Sequence, residues 1–204
     1  MPYASILFYS VLTRHKENHM KKRIGFDLDG VIFDYTQALR DEDPNLGCDN
    51  GPFTYAMIED NWFTSREQWR EVHDKAMKKA DKFALIDTTI FDAIDLIHEN
   101  GDTVVAATAR EFAYEDLTRK ALENNGLDFD ELIVTEYSTP KSKLGLAALL
   151  EDHPDTVLEP GETKMFVRNQ PYNRHVPVKI PRVYTCLEYV ESFYRPCKKK
   201  TLVV

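Results

Sequence analysis

The chain has 204 residues, 43% of them hydrophobic, and a formal net charge of -8. That is enough chain for one buried core, or a core with a small insert, and too acidic a surface to neutralise a run of nucleic-acid phosphates. The three cysteines, Cys48, Cys186 and Cys197, are odd in number and lack a CxxC spacing, which suggests neither a disulfide framework nor a zinc site and suits a reducing cytoplasm.

The apolar stretch Ile6 to Leu12 is far below the length of a membrane span, and its positive charges follow it; neither a span nor a signal peptide is expected. Residues 1–19 stand apart as an N-terminal extension with no assigned role. The pattern begins at Met20: a short apolar run, Ile24 to Phe26, delivers Asp27 and Asp29 just before Gly30, and reads as a buried strand running into a turn. Carboxylates so placed can share one site, because the chain is already leaving the strand. They then need a cation between them or one protonated partner. Gly30 allows a sharp turn and a close backbone approach. A plain turn or a calcium loop gives the same Asp-x-Asp-Gly string, but the apolar Val31, Ile32 and Phe33 that follow argue against an exposed calcium loop.

Asp34, Tyr35 and Thr36 open a segment that becomes loop-like from Asp41 to Pro52, rich in Asp, Asn, Gly and Pro. Ser65-Arg66-Glu67-Gln68 has capping-box spacing and predicts a helix to about Leu85, with Trp69, Val72, Ala76, Ala80 and Phe83 near one face. Trp62 and Phe63 precede that helix and are candidates to face a site. Residues 36–86 thus read as a small helical cap inserted after the first strand, a lid that keeps water from a reaction. Residues 20–35 and 87–204 make the core.

From Thr88 the pattern is regular. A helix with Ile90, Phe91, Ile94 and Ile97 inward ends at Asn100-Gly101; a strand covers Thr103 to Thr108; a helix over about Glu111 to Asn124 ends at Gly126; a strand covers Leu132 to Thr135. A strand near Met165 to Val167 and a helix at about Thr185 to Arg195 close the sheet, and Lys198 to Lys200 form a solvated tail. The alternation predicts an α/β fold, a three-layer Rossmann-like parallel sheet whose ligands bind at the carboxyl ends of the strands. Polar residues stand at those ends: Thr108-Ala109-Arg110, then Thr139-Pro140-Lys141, then Glu151-Asp152 after the apolar Ala147 to Leu150. Thr108 suits a hydroxyl donor to a phosphoryl oxygen or a helix cap. Lys141 suits charge neutralisation or a solvated surface, and Asp152 an oxygen ligand of magnesium or a turn.

Phe26-Asp27-Leu28-Asp29-Gly30-Val31 resembles the first motif of the haloacid dehalogenase superfamily, and the Thr, the Lys and the acidic pair match its remaining motifs in order. The resemblance implies that Asp27 is a nucleophile forming an aspartyl-phosphate and Asp29 a general acid and base. The dehalogenase branch lacks the second Asp, so Asp29 points to phosphoryl transfer. Catalysis would rest on Asp27, Asp29, Thr108 and Lys141. Magnesium (Mg2+) would be held by the Asp27 and Asp152 carboxylates and the Asp29 carbonyl, with Glu151 acting through a water.

Within the superfamily the chain is similar to the cytosolic 5'(3')-deoxyribonucleotidases. The likeness runs through Asp27 to Tyr35, the ten-residue step from Lys141 to Glu151, Leu149 to Thr156, and Phe166 to His175. Glu151 stands where that family has Asp, and Thr108-Ala109-Arg110 where some members have Thr-Ser-Pro. The implied substrate is a nucleoside monophosphate, with Tyr35, Trp62, Phe63, Ala109 and Arg110 as substrate-binding candidates; Arg110 is read as reaching a phosphate or base, or as a surface ion pair. A sugar phosphate, a non-catalytic phosphate-binding protein and a DNA 3'-end phosphatase are the rivals, the last disfavoured by the acidic charge. No nucleic acid polymer or membrane is expected as a partner, and a homodimer is left open.

Overall fold

The computed structural model describes residues 20–47, 62–177 and 179–195. The extension 1–19, the far part of the Asp41 to Pro52 loop, Cys48, Cys197 and the Lys198 to Lys200 tail lie outside the described residues. Among the described residues six strands, β1 (Arg23–Phe26), β2 (Thr103–Thr108), β3 (Glu131–Val134), β4 (Ala148–Glu151), β5 (Lys164–Arg168) and β6 (Arg182–Val183), pair in parallel in the order β3-β2-β1-β4-β5-β6. The six helices among the described residues are α1 (Tyr35–Glu42), α2 (Arg66–Met77), α3 (Ile90–Glu99), α4 (Glu115–Asn124), α5 (Pro154–Leu158) and α6 (Cys186–Tyr194). This is the Rossmann-like α/β sheet that the alternation of elements predicts.

The apolar strands are buried on both faces, as parallel strands between helices must be. Ile24, Phe26, Ala106 and Phe166 point into one cluster with Ile90, Ile94 and Ile97 of α3, Ala121 and Leu122 of α4 and Tyr189 of α6. Val105, Ala107, Leu149 and Val167 point the other way, against Val157 of α5 and Val176. The second layer is the thinner one, because α5 has only five residues. Phe91 is correctly placed in α3 but 37% exposed; one residue beyond Ile90 is about 100° around the helix, off the inward stripe.

Some elements differ from the reading of the sequence. α2 is capped by Ser65, whose Oγ accepts from Gln68 N at 3.2 Å, but it stops at Met77 rather than near Leu85. The chain beyond it is held extended alongside the turn after β1: Asp34 N donates to Ala84 O at 2.9 Å and Ile86 N to Ile32 O at 2.8 Å. A short 3-10 turn, Ala80–Lys82, lets Ala80 and Phe83 still reach the core. α1 is an addition: Asp34 caps it by accepting from Gln37 N at 2.9 Å, a local bond that holds the first turn although Asp and Thr there suggest loop. The apolar side chains of α1 and α2, Leu39, Val72 and Met77, join the same continuous cluster as β1 and β2.

Candidate active site

The strand order changes direction between β1 and β4, and ligands of open α/β sheets bind outside the carboxyl ends at such a point. β1 leads straight into Asp27, whose amide donates to Leu150 O at 2.9 Å, so the β1 end and the Glu151-Asp152 end of β4 lie side by side. The chain then folds back on itself, with Ile32 N and Phe33 N both donating to Leu28 O at 2.8 Å. Gly30 takes φ 82° in that turn, a conformation that an L side chain resists.

Lys141 comes to the same place in a short 3-10 turn after β3. Its Nζ lies 2.5 Å from Asp27 Oδ1 and 2.8 Å from Glu151 Oε2, and all three residues are buried. The other Glu151 oxygen accepts from the amides of Asp152 and His153 at 3.0 Å each. Burial, reinforced by the neighbouring Glu151 charge, pushes the Asp27 carboxyl up to about 7 despite Lys141. Burial works against the Lys141 ammonium, but Asp27 and Glu151 outweigh it and hold Lys141 above its ordinary range. Glu151 is likewise disfavoured by burial, but Lys141 and the backbone amides bring it below the ordinary carboxylate range.

A cavity of about 150 Å³ opens onto these groups, lined among others by Asp27, Asp29, Thr108, Ala109, Arg110, Lys141 and Glu151. Asp29 does not stand alone there: Arg110 Nε and Nη2 donate to its two oxygens at 2.8 and 2.6 Å. Arg110 is 5% exposed, so the ion pair read from the sequence as a surface one has its guanidinium buried and its Asp29 carboxylate partly exposed. Tyr35 also lines the cavity, its hydroxyl 2.8 Å from His73 Nδ1. Trp62 and Phe63, by contrast, are 2% and 1% exposed within the core cluster and are absent from the cavity wall. An indole packed under the Arg40 guanidinium, 4.9 Å from its ring centre, is shielded from any ligand; both residues were expected to face the site and do not.

Asp27, Glu151 and Asp152 each offer an oxygen within 4.8 Å of the others. Three buried carboxylates face one ammonium, an excess of negative charge that a divalent cation would balance. A set of oxygen donors only fits magnesium better than a softer metal. Asp152 is held from behind: the Tyr172 hydroxyl donates to its Oδ2 and Asn173 Nδ2 donates to its carbonyl at 2.8 Å. From the same loop Gln170 Nε2 donates to Gly30 O at 2.7 Å.

Several wall residues escaped the reading of the sequence. His73, Tyr137, His153, Thr156 and Glu159 all line the cavity. Tyr137 is 81% exposed with its ring edge-on to His153, and burial lowers both His73 and His153. Tyr172 carried a signal in the Pro171-Tyr172-Asn173 stretch after β5, while His73 sits on a helix whose pattern shows only packing.

Searching curated proteins finds no match. Among solved structures, a haloacid dehalogenase superfamily hydrolase of Geobacter sulfurreducens is 16% identical with a TM-score of 0.55, covering 85% of this chain and 96% of that one. A putative beta-phosphoglucomutase of Thermotoga maritima is 13% identical, with a TM-score of 0.52 and coverage of 85% and 98%. CbbY of Rhodobacter sphaeroides, in complex with phosphate, is 17% identical, with a TM-score of 0.51 and coverage of 83% and 96%. These are likenesses of fold. Residues 17–148, which hold Asp27, Asp29, Thr108 and Lys141 but end before Glu151 and Asp152, match the family described as "Protein of unknown function (DUF2608)". With well over half of its residues matched, the chain belongs to that family, and its fold is that of the haloacid dehalogenase superfamily hydrolases.

Proposed function

We propose that the chain is a magnesium-dependent phosphomonoesterase that works through a phosphorylated Asp27. The observation that supports this most is one cavity bringing Asp27, Asp29, Thr108 and Lys141 together at the point where the sheet changes direction. The phosphate bound to the similarly folded Rhodobacter protein is in keeping with it.

In this reading the ester's phosphoryl oxygens meet Lys141 Nζ and the Thr108 hydroxyl, which neutralise and orient them. An Asp27 oxygen attacks phosphorus in line, its new O–P bond forming as the ester O–P bond breaks, while Asp29 gives a proton to the leaving oxygen. Water then attacks the same phosphorus, Asp29 takes its proton, and the Asp27–phosphorus bond breaks to release phosphate. The ion would be held by Asp27, Asp152 and the Asp29 carbonyl, with Glu151 reaching it through water. Magnesium, when bound, offsets the repulsion between a carboxylate and a dianionic phosphate, roughly 4 kcal/mol for two unit charges about 4 Å apart.

The finer reading is a (deoxy)nucleoside monophosphate as substrate, hydrolysed to nucleoside and phosphate. Its support is the sequence likeness around Asp27 to Tyr35, Lys141 and Leu149 to Thr156, together with the Tyr35 and Tyr137 rings at the cavity. A sugar phosphate is the second reading, favoured by the polar wall of His73, Thr156 and Glu159. The helices after β1 act as the lid, since Tyr35 opens α1 and His73 lies on α2, and both reach the cavity. A cytoplasmic setting is in keeping with the free, buried Cys186, and no described helix is long and apolar enough to cross a membrane.

A panel of monophosphates at fixed magnesium tests both levels. Release of phosphate that needs magnesium and is lost in Asp27→Asn is the expected result. The nucleotidase reading fails if dUMP and dTMP turn over no faster than sugar phosphates, and the phosphatase reading fails if no ester turns over.

A further inference from the structure

Arg110, in the cavity wall, is held by several partners. Its Nε and Nη2 donate to Asp29 Oδ2 and Oδ1 at 2.8 and 2.6 Å, and its Nη1 donates to Thr118 Oγ1 at 3.2 Å. Thr118 is itself fully buried, and its hydroxyl donates to Tyr114 O at 2.9 Å. The guanidinium carbon lies 5.4 Å from the ring centre of Phe33 and 5.2 Å from that of Phe83. Two aromatic faces, a hydroxyl and a carboxylate therefore fix one planar cation.

An exposed ion pair would carry little positional information, because each long side chain keeps its freedom. This pair is different. Its forked geometry matches both oxygens of the carboxylate, and each of the three guanidinium nitrogens already has a partner. The bonds that fix Arg110 are thus aimed at Asp29 and Thr118. Asp29 also sits at a turn, two residues beyond Asp27, where nothing in the strand ladder would set its side-chain rotamer. Phe33 belongs to the turn after β1 and Phe83 to the end of the insert, so the guanidinium ties the carboxylate to both.

Resting on the phosphomonoesterase reading, we propose that Arg110 is a positioning residue that fixes the Asp29 carboxylate for proton transfer to the leaving oxygen. The proton passes from Asp29 to the ester oxygen as the O–P bond breaks, and Arg110 itself exchanges none. General acid catalysis matters most where the leaving group is a poor one. An alkoxide needs the proton; p-nitrophenolate departs without it.

The test compares kcat/KM, which reports the step that phosphorylates Asp27, for p-nitrophenyl phosphate and for the best alkyl ester of the monophosphate panel. Arg110→Gln is expected to lose about 100-fold on the alkyl ester and less than about 5-fold on p-nitrophenyl phosphate. The ratio of the two is independent of how much of the variant is folded. If Arg110→Gln yields no folded protein, Arg110→Lys, which keeps a charge against Asp29 but not the fork, is judged by the same ratio. A ratio that stays within about tenfold of wild type overturns the positioning role while leaving the phosphatase reading intact. A wild-type chain inactive on both esters overturns both.

Discussion

Gly30 lies so close to Asp152 that a Cβ on it would run into the Asp152 carboxylate and come within 2.8 Å of the Tyr172 hydroxyl. The glycine of the first motif thus does more than turn the chain: it lets the β1 turn nest against the acidic end of β4. Gly30→Ala should cost roughly 1–2 kcal/mol for the left-handed backbone alone, and should also displace Asp152. Urea unfolding measures the first effect. The second appears as a weaker rise in melting temperature when magnesium is added.

Tyr172 donates to the same Asp152 oxygen that Gly30 makes room for. Partners behind a metal ligand typically contribute about 10- to 100-fold to metal affinity. Tyr172→Phe keeps the ring and removes the donor, so magnesium binding followed by calorimetry should weaken by about tenfold. Stability without magnesium should change by only about 1 kcal/mol. Unchanged affinity would show that Asp152 is oriented by its backbone alone.

Lys141 stands between two buried carboxylates, and removing one member of a buried charged set commonly costs about 3–5 kcal/mol. Lys141→Met should destabilise the metal-free protein by about that much and abolish turnover. Magnesium should recover part of the stability, because it supplies positive charge to Asp27, but not the activity. Denaturation with and without magnesium, beside a phosphate-release assay, separates the two losses.

The pH dependence of stability follows from Asp27, whose folded-state value of about 7 lies above the ordinary 3.8. A carboxyl raised in this way contributes stability below about pH 4 that is lost as the pH climbs through 7, because the folded state then binds more protons than the unfolded one. Metal-free protein should therefore weaken between pH 5 and 8 by roughly 2–3 kcal/mol, the rest of the loss having occurred between about pH 4 and 5. Glu151, held low, acts only below this window, and Lys141, held high, stays charged across it. Asp27→Asn should flatten the slope, and magnesium at pH 8 should restore what wild type has lost. Equal slopes in wild type and variant would assign the effect elsewhere.

The sequence made the sheet and its carboxyl-end residues legible because both depend on local patterns: apolar runs of strand length, and polar residues at the places where those runs stop. Asp27, Thr108 and Glu151 stand where such runs stop and Lys141 a few residues beyond one, and the family resemblance singles out the same four. Contacts set by tertiary packing were not legible. Trp62 and Phe63 read as site-facing candidates because aromatic residues before a helix carry no mark of which way they turn, and they are core. Arg110 showed a charge but not that Phe33, Phe83 and Thr118 would bury it against Asp29. α2 ends early because Ala84 and Ile86 bond to the turn after β1, a long-range pairing that helical periodicity cannot express.

The most direct test of the account is to stop the reaction with acid during turnover and weigh the intact protein. Wild type with magnesium and a hydrolysed monophosphate should carry one added phosphoryl group, mapped by peptide fragmentation to Asp27, and Asp27→Asn should carry none and release no phosphate. Turnover that continues in Asp27→Asn, or a phosphoryl group found on another residue, would contradict it.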